Sequence, residues 1–239
     1  MQLFDSLIKS GMLYGAEIWG WKEREQLEAV QRKYIKWTLG LPVKTRTATL
    51  MMETGRMPLA MEATFKAMKY EIKIHECKNP YLKEALRIHR EDEERKALFE
   101  KAGVPEEEER RRWIFDRRGW LETCEVIRQL ALQEIIENVD EEYHRIRTTH
   151  LPLYLEEGKN IKMIARFRCG SEERGREGWR EKNDRMCRLC GTEEETIDHM
   201  ITTCCPSNMD IEEILHEDGR GADWMRQLLE GREPQGGAM

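Results

Sequence analysis

Residues 187–204 read CRLCGTEEETIDHMITTC, a C-x2-C-x8-H-x4-C arrangement whose ligand-type side chains are Cys187, Cys190, His199 and Cys204. Two cysteines separated by two residues can wrap their thiolates around one ion from a tight turn, and Gly191 permits the backbone reversal that such a turn needs. Glu195 to Thr203 then reads as about two helical turns, which bring His199 and Cys204 in as the second ligand pair. Soft thiolates with one imidazole select Zn2+ over hard cations. A Cys3His set fills a tetrahedron and leaves no open position, so the implied ion is a structural staple and not a catalyst. Cys205 is the alternative fourth ligand; Cys204 is preferred for its four-residue gap after the histidine. The competing reading is a reduced cysteine cluster in a helix-capped loop with no metal.

Immediately upstream, residues 159–188 carry ten Lys or Arg against five acidic residues. Arg166, Arg168, Arg174, Arg176, Arg180, Lys182, Arg185 and Arg188, with Trp179 among them, suit RNA or single-stranded DNA, because phosphate contact plus aromatic stacking requires no sequence readout. Gly170, Gly175 and Gly178 would let the backbone approach a phosphate chain. The alternative is that these arginines pair with Glu172, Glu173, Glu177 and Glu181 and that Trp179 packs beside the metal. The metal loop itself is acidic, with Glu193-Glu194-Glu195 and Asp198, and is a poor phosphate surface.

Further outward the chain reads as helical. Residues 1–40 predict two helices parted near Gly20 and ended by Gly40-Leu41-Pro42. A short helix follows from Thr47 to Glu53, a turn at Thr54-Gly55-Arg56, and a helix from Pro58 to about Cys77, closed by Asn79-Pro80. Glu and Arg alternate from Leu82 to Lys101 and from Glu106 to Arg118, marking solvated helix faces. Gly103-Val104-Pro105 and Gly119 punctuate these, and another helix runs from Trp120 to about Asn138. No strand alternation, repeat or low-complexity block is present. The fold class is therefore mainly α, a helical N-terminal region followed by a small zinc-stabilised C-terminal module. The segments are 1–77, helical; 78–157, a charged helical connector bounded near Pro152 and Gly158; 158–206, basic segment with the metal motif; and 207–239, short helices and a disordered tail after Gly231.

Composition sets limits. The 239 residues are 39% hydrophobic and 36% charged, with seven Trp and thirteen Met, enough bulky apolar material for a core. The net charge of −6 carries no whole-chain signature of nucleic-acid binding, so any such surface is regional. No segment approaches the roughly 20 apolar residues that span a bilayer, and no signal-like N-terminus is evident, which reads as intracellular, in nucleus or cytoplasm. Four of the seven cysteines crowd beside His199, a pattern that fits a metal site in a reducing compartment better than a disulfide framework. Cys77, Cys124 and Cys169 read as buried small hydrophobes.

Several blocks resemble the C-terminal part of the reverse transcriptase polyprotein of non-LTR retrotransposons, especially insect elements. Leu13-Tyr14-Gly15-Ala16-Glu17-Ile18-Trp19, Val30-Gln31-Arg32-Lys33, Leu39-Gly40-Leu41-Pro42, Glu53-Thr54-Gly55 and Pro58-Leu59 are similar to the helical thumb that follows the polymerase palm. Ile164 to Gly170, Cys187 to Gly191 and Glu195 to His199 resemble that family's terminal CCHC zinc motif. The matched regions cover about half of the chain in the family's order, and residues 78–157 carry no motif.

The resemblance implies nucleic-acid binding by the terminal cysteine-rich segment during target-primed reverse transcription. Polymerase chemistry needs paired metal-binding aspartates, and the chain contains no Asp-Asp pair. The sequence thus reads as a truncated, non-enzymatic fragment lacking the palm, its partners being RNA or single-stranded DNA and either a partner protein or a palm supplied in trans. A structural or protein-interaction module stapled by zinc is the alternative, and an inert element remnant is a third.

Overall fold

A computed structural model describes residues 3–232 apart from 23, 104–116, 140 and 149. The described residues are mainly helical and form no named strand. Several helices stop where their sequences can no longer satisfy them. Glu25–Leu39 ends on Gly40, and Thr47–Thr54 ends on Gly55, both in the left-handed region that glycine tolerates. Leu59–Glu76 begins after Pro58, which makes no side-chain cap; the Glu28 carboxylate instead accepts the Ala60 N–H at 2.7 Å.

Three expectations change. Asn79-Pro80 opens a helix, Pro80–Arg90, as well as closing one: the Asn79 side chain accepts the Tyr81 N–H at 2.9 Å, and proline fits the first helical position. The stretch from Leu82 to Lys101 is two helices, because Asp92 adopts an extended backbone and its side chain accepts from Glu94 N and Arg95 N to start Glu93–Lys101. Gly119 does not interrupt the chain, since Arg117–Glu137 runs through it. The helix expected over 106–118 falls largely on residues outside those described, as does the tail from 233.

The chain divides into two units: Met1–Arg32 with Met57–Asn138, and Lys33–Arg56 with Val139–Met239. The helix Glu25–Leu39 belongs to both, and the segments read from composition cut across this division. In the first unit, Trp21, Ala67, Met68, Phe99 and Ile127 form a buried cluster flanked by Met61, Phe65 and Leu98. Gly20 lets the short helix Ala16–Trp19 lie directly on Leu59–Glu76, since a Cβ there would sit 2.3 Å from the Ala63 carbonyl oxygen. A bidentate Arg95–Glu71 pair, 2.9 Å on both arms, is buried in this unit beneath the Trp21 and Phe99 rings.

The second unit buries Ile35, Leu39, Leu50, Tyr154, Ile164, Phe167, Ile197, Met200, Ile214 and Met225. Phe167 meets Trp224 edge-on at 5.9 Å. At its centre Glu53 receives Arg168 Nε at 2.7 Å and Nη2 at 3.2 Å, and the hydroxyls of Tyr154 and Tyr143 as well. The guanidinium also donates to the carbonyls of Ile146 and Leu215. Burial and the adjacent carboxylate raise both tyrosine hydroxyls above their ordinary range. Burial alone would lower the Arg168 guanidinium, but Glu53 outweighs it and the net direction is up. Both charges are buried and fully bonded, as a low-dielectric interior requires.

Candidate metal centre and its basic flank

The module begins with a turn held from both sides. Cys187 N donates to Glu193 O at 2.7 Å and Glu195 N to Arg185 O at 2.9 Å, and Met186 and Glu194 form an isolated antiparallel bridge. This miniature hairpin presents Cys187 and Cys190 at its tip. Gly191, at φ 68°, donates its N–H to Cys187 O at 2.8 Å, and Leu189 N and Thr192 N point at the two sulfurs at 3.4 and 3.5 Å. The Thr192 N–H aimed at Cys190 Sγ favours the thiolate of that residue.

The second ligand pair lies on the helical turn Ile197–His199 and its continuation Met200–Cys204, begun by Thr196, whose hydroxyl accepts the His199 N–H at 3.2 Å. His199 and Cys204 are five residues apart, which on an ordinary α-helix leaves them about 140° apart around the axis. Here the helix widens into a π turn: Cys205 N donates to Met200 O, five residues back, at 2.8 Å. That widening places residues i and i+5 on one face. Its physical effect is to bring Cys204, and not Cys205, into the cluster. The Cys205 carbonyl instead accepts the Trp224 indole N–H at 2.8 Å.

The four ligand atoms lie within 4.8 Å of one another. Cys187 Sγ to Cys204 Sγ is 3.6 Å, and His199 Nε2 is 3.2 Å from Cys190 Sγ and 3.1 Å from Cys204 Sγ. Ligands on a tetrahedral zinc with its usual bond lengths stand about 3.6–3.8 Å apart, so the cluster is close to that shape. The other imidazole nitrogen, Nδ1, is 2.9 Å from Glu193 Oε2, which fixes the tautomer that leaves Nε2 to bind metal. The hydroxyl of Thr192, then its N–H, bring the Cys190 thiol down to about 5. Burial, then hydrogen bonds with Cys190 and Cys187, push the Cys204 thiol up to about 12. Three sulfurs this close resist simultaneous ionisation, and a divalent cation removes that resistance. The residues therefore fit a metal ion.

The arginines expected to meet phosphate are engaged elsewhere. Arg168 is wholly buried against Glu53 and inaccessible to a phosphate chain. Glu172 and Glu195, also buried, gather Arg188 and Arg232: Arg188 Nε is 2.9 Å from Glu195 Oε2, and Arg232 reaches a carboxylate oxygen of each at 2.8 Å. Arg166 meets Glu172 at 2.5 Å, Arg174 meets Glu195 at 4.0 Å, Arg176 meets Glu173 at 3.0 Å and Arg185 meets Glu194 at 3.2 Å. Arg180 pairs with Glu177. Lys182 is exposed and has no ion pair among the described residues. Trp179 does not pack under the metal: its ring is 56% exposed, with Lys44 Nζ 3.2 Å and the Arg180 guanidinium 4.6 Å from its centre.

Sequence reasoning missed four contributors. Glu193 belongs to the metal site through His199. Glu53 holds Arg168, and Tyr143 and Tyr154 donate their hydroxyls to Glu53; only an unusually apolar setting, Leu50-Met51-Met52 before Glu53 and Phe167 before Arg168, hints that the two charges are buried.

The fold and site thus define a mainly helical protein with a Cys3His cluster that can hold a metal ion. No protein-family model, curated protein or solved structure matches the chain. No helix among the described residues is long and apolar enough to cross a membrane.

Proposed function

We propose that the chain is a zinc-stapled nucleic-acid-binding module, non-catalytic, of the kind found at the C-terminal end of non-LTR retrotransposon reverse transcriptases. Zn2+ held by Cys187, Cys190, His199 and Cys204 supplies folding energy and no chemistry, because the protein ligands complete its coordination. RNA or single-stranded DNA is gripped at the edge formed by Trp179, Arg180 and Lys182. The observation that carries this reading is the exposed Trp179 side chain flanked by the two cations Lys44 and Arg180, since such a ring offers a base a stacking face and its phosphates a counter-charge. Support for the family comes from Glu53 and Arg168, which lie in two separate blocks that resemble it and bond to each other across 115 residues. A polymerase palm would be supplied by another part of the polyprotein or in trans.

The test is binding of single-stranded RNA by the full chain across a salt series. Affinity should fall steeply as salt rises, and R180Q with K182Q should weaken it and flatten the slope by about one counterion per charge. Absence of binding even at low salt sinks the nucleic-acid reading. The second reading, a protein-interaction module in which zinc is only a staple, is favoured by the pairing of Arg166, Arg174, Arg176, Arg185 and Arg188 with carboxylates, and would then stand.

A further inference from the structure

Between Glu28 and Glu53 the chain has no acidic residue, yet it carries Lys33, Lys36, Lys44 and Arg46. Within this stretch Lys33 and Trp37 are exposed one helical turn apart at the end of Glu25–Leu39, and Trp37 is 75% exposed with its ring 6.2 Å from that of Tyr34. The Lys36 ammonium donates to the Val43 carbonyl, folding the 40–46 loop back onto the helix end that bears Trp37. That loop exposes Val43 and sends Lys44 over the Trp179 ring. Tryptophan carries a large apolar area, and leaving two of them exposed beside the cations Lys33 and Lys44 costs solubility unless a ligand uses them.

From these placements we infer that Trp37 is a second stacking platform, joined through Lys44 to the one at Trp179, and that the two together take consecutive stretches of one single-stranded RNA. The inference rests on the proposed nucleic-acid reading and deepens it by moving half of the contact out of the cysteine-rich segment. A polyanion with flat, π-faced bases matches both properties of the surface: the cations neutralise its phosphates, and the indole faces take its bases without regard to sequence. An acidic protein would satisfy the lysines but would have no use for two exposed indoles.

The experiment uses the metal-loaded full chain with two probes, an oligouridylate of about 12 nucleotides and an abasic backbone of equal length, a span set by the roughly 4–16 nucleotides that such surfaces cover. W37A should weaken oligouridylate binding roughly 5- to 100-fold, the range seen for loss of one stacked base, and leave the abasic probe unaffected. W37F should restore most of the loss. K44Q should weaken both probes and lower the salt slope by about 0.7. Trp37 is exposed, so unchanged metal content and helicity are expected in each variant. Oligouridylate binding that W37A does not alter overturns this inference and leaves the Trp179 site standing. Failure of the wild-type chain to bind either probe at low salt overturns both. Self-association that W37A abolishes, with RNA affinity intact, would assign the surface to a second copy of the chain and likewise overturn it.

Discussion

The first unit and the metal module solve the same problem by opposite means. Around Trp21, Met68, Phe99 and Ile127, helices of up to 21 residues bury apolar side chains against one another, and the charged pair Arg95–Glu71 is enclosed by aromatic rings. Between Glu172 and Cys205 the regular elements are only three to five residues long and one β-bridge is present. Helices that short cannot be stable by themselves. What holds them is a cluster of four ligands and a layer of arginines around Glu172 and Glu195. A metal ion held by that cluster would substitute for apolar area and let the module present so charged a surface.

The contrast is broken most severely by removing metal. Structural zinc contributes on the order of 10 kcal/mol in small modules. Chelation, or Cys190→Ser, should therefore abolish amide protection in residues 186–205 while the amides of Leu59–Glu76 stay protected, as read by hydrogen exchange. Equal loss in both regions would mean that the module is not separately metal-dependent.

A second prediction concerns the interior of the second unit. Arg168→Met leaves the Glu53 carboxylate buried with only the two tyrosine hydroxyls, and breaking such a pair costs about 3–5 kcal/mol. Urea denaturation should report a loss of that size, whereas neutralising the exposed Arg226–Asp223 pair should cost under about 1 kcal/mol. A comparable loss from both would remove the distinction between buried and surface arginines on which the phosphate argument depends.

Glu193→Gln gives a smaller effect and sharpens the comparison at its metal side. Loss of the carboxylate that orients His199 should weaken zinc affinity about 10- to 100-fold without changing the ligand set. Competition with a chromophoric chelator measures it, and an unchanged affinity would make Glu193 a surface residue only. In the same titration, zinc uptake should strengthen as pH rises. The Cys204 thiol, pushed up to about 12, still carries its proton at neutral pH and must release it to the solvent on binding.

The sequence disclosed these features unequally, for a physical reason. The ligand quartet was legible because it lies within eighteen residues and because cysteine spacing reports directly on a turn. The choice of Cys204 over Cys205 was left open, since it depends on a π turn that no residue announces. The fates of the arginines were legible in part: the local pairing held open as the alternative is found for Arg166 with Glu172, Arg176 with Glu173 and Arg180 with Glu177, whereas Arg168 answers to Glu53 across 115 residues. Local charge counting sees ten cations and cannot see that one of them, Arg168, is claimed by a carboxylate 115 residues away and by backbone carbonyls. Helix punctuation was readable where backbone geometry demands it, as at Gly40 and Gly55. It failed at Gly119, where glycine is merely tolerated within a longer helix.

A closed four-ligand zinc site can be read out by metal analysis of the purified full chain combined with X-ray absorption at the zinc edge. One zinc per chain is expected, with three sulfur and one nitrogen neighbours, lost on replacement of Cys204 but retained on replacement of Cys205. A metal-free, fully folded chain, or a zinc that survives loss of Cys204, would contradict it.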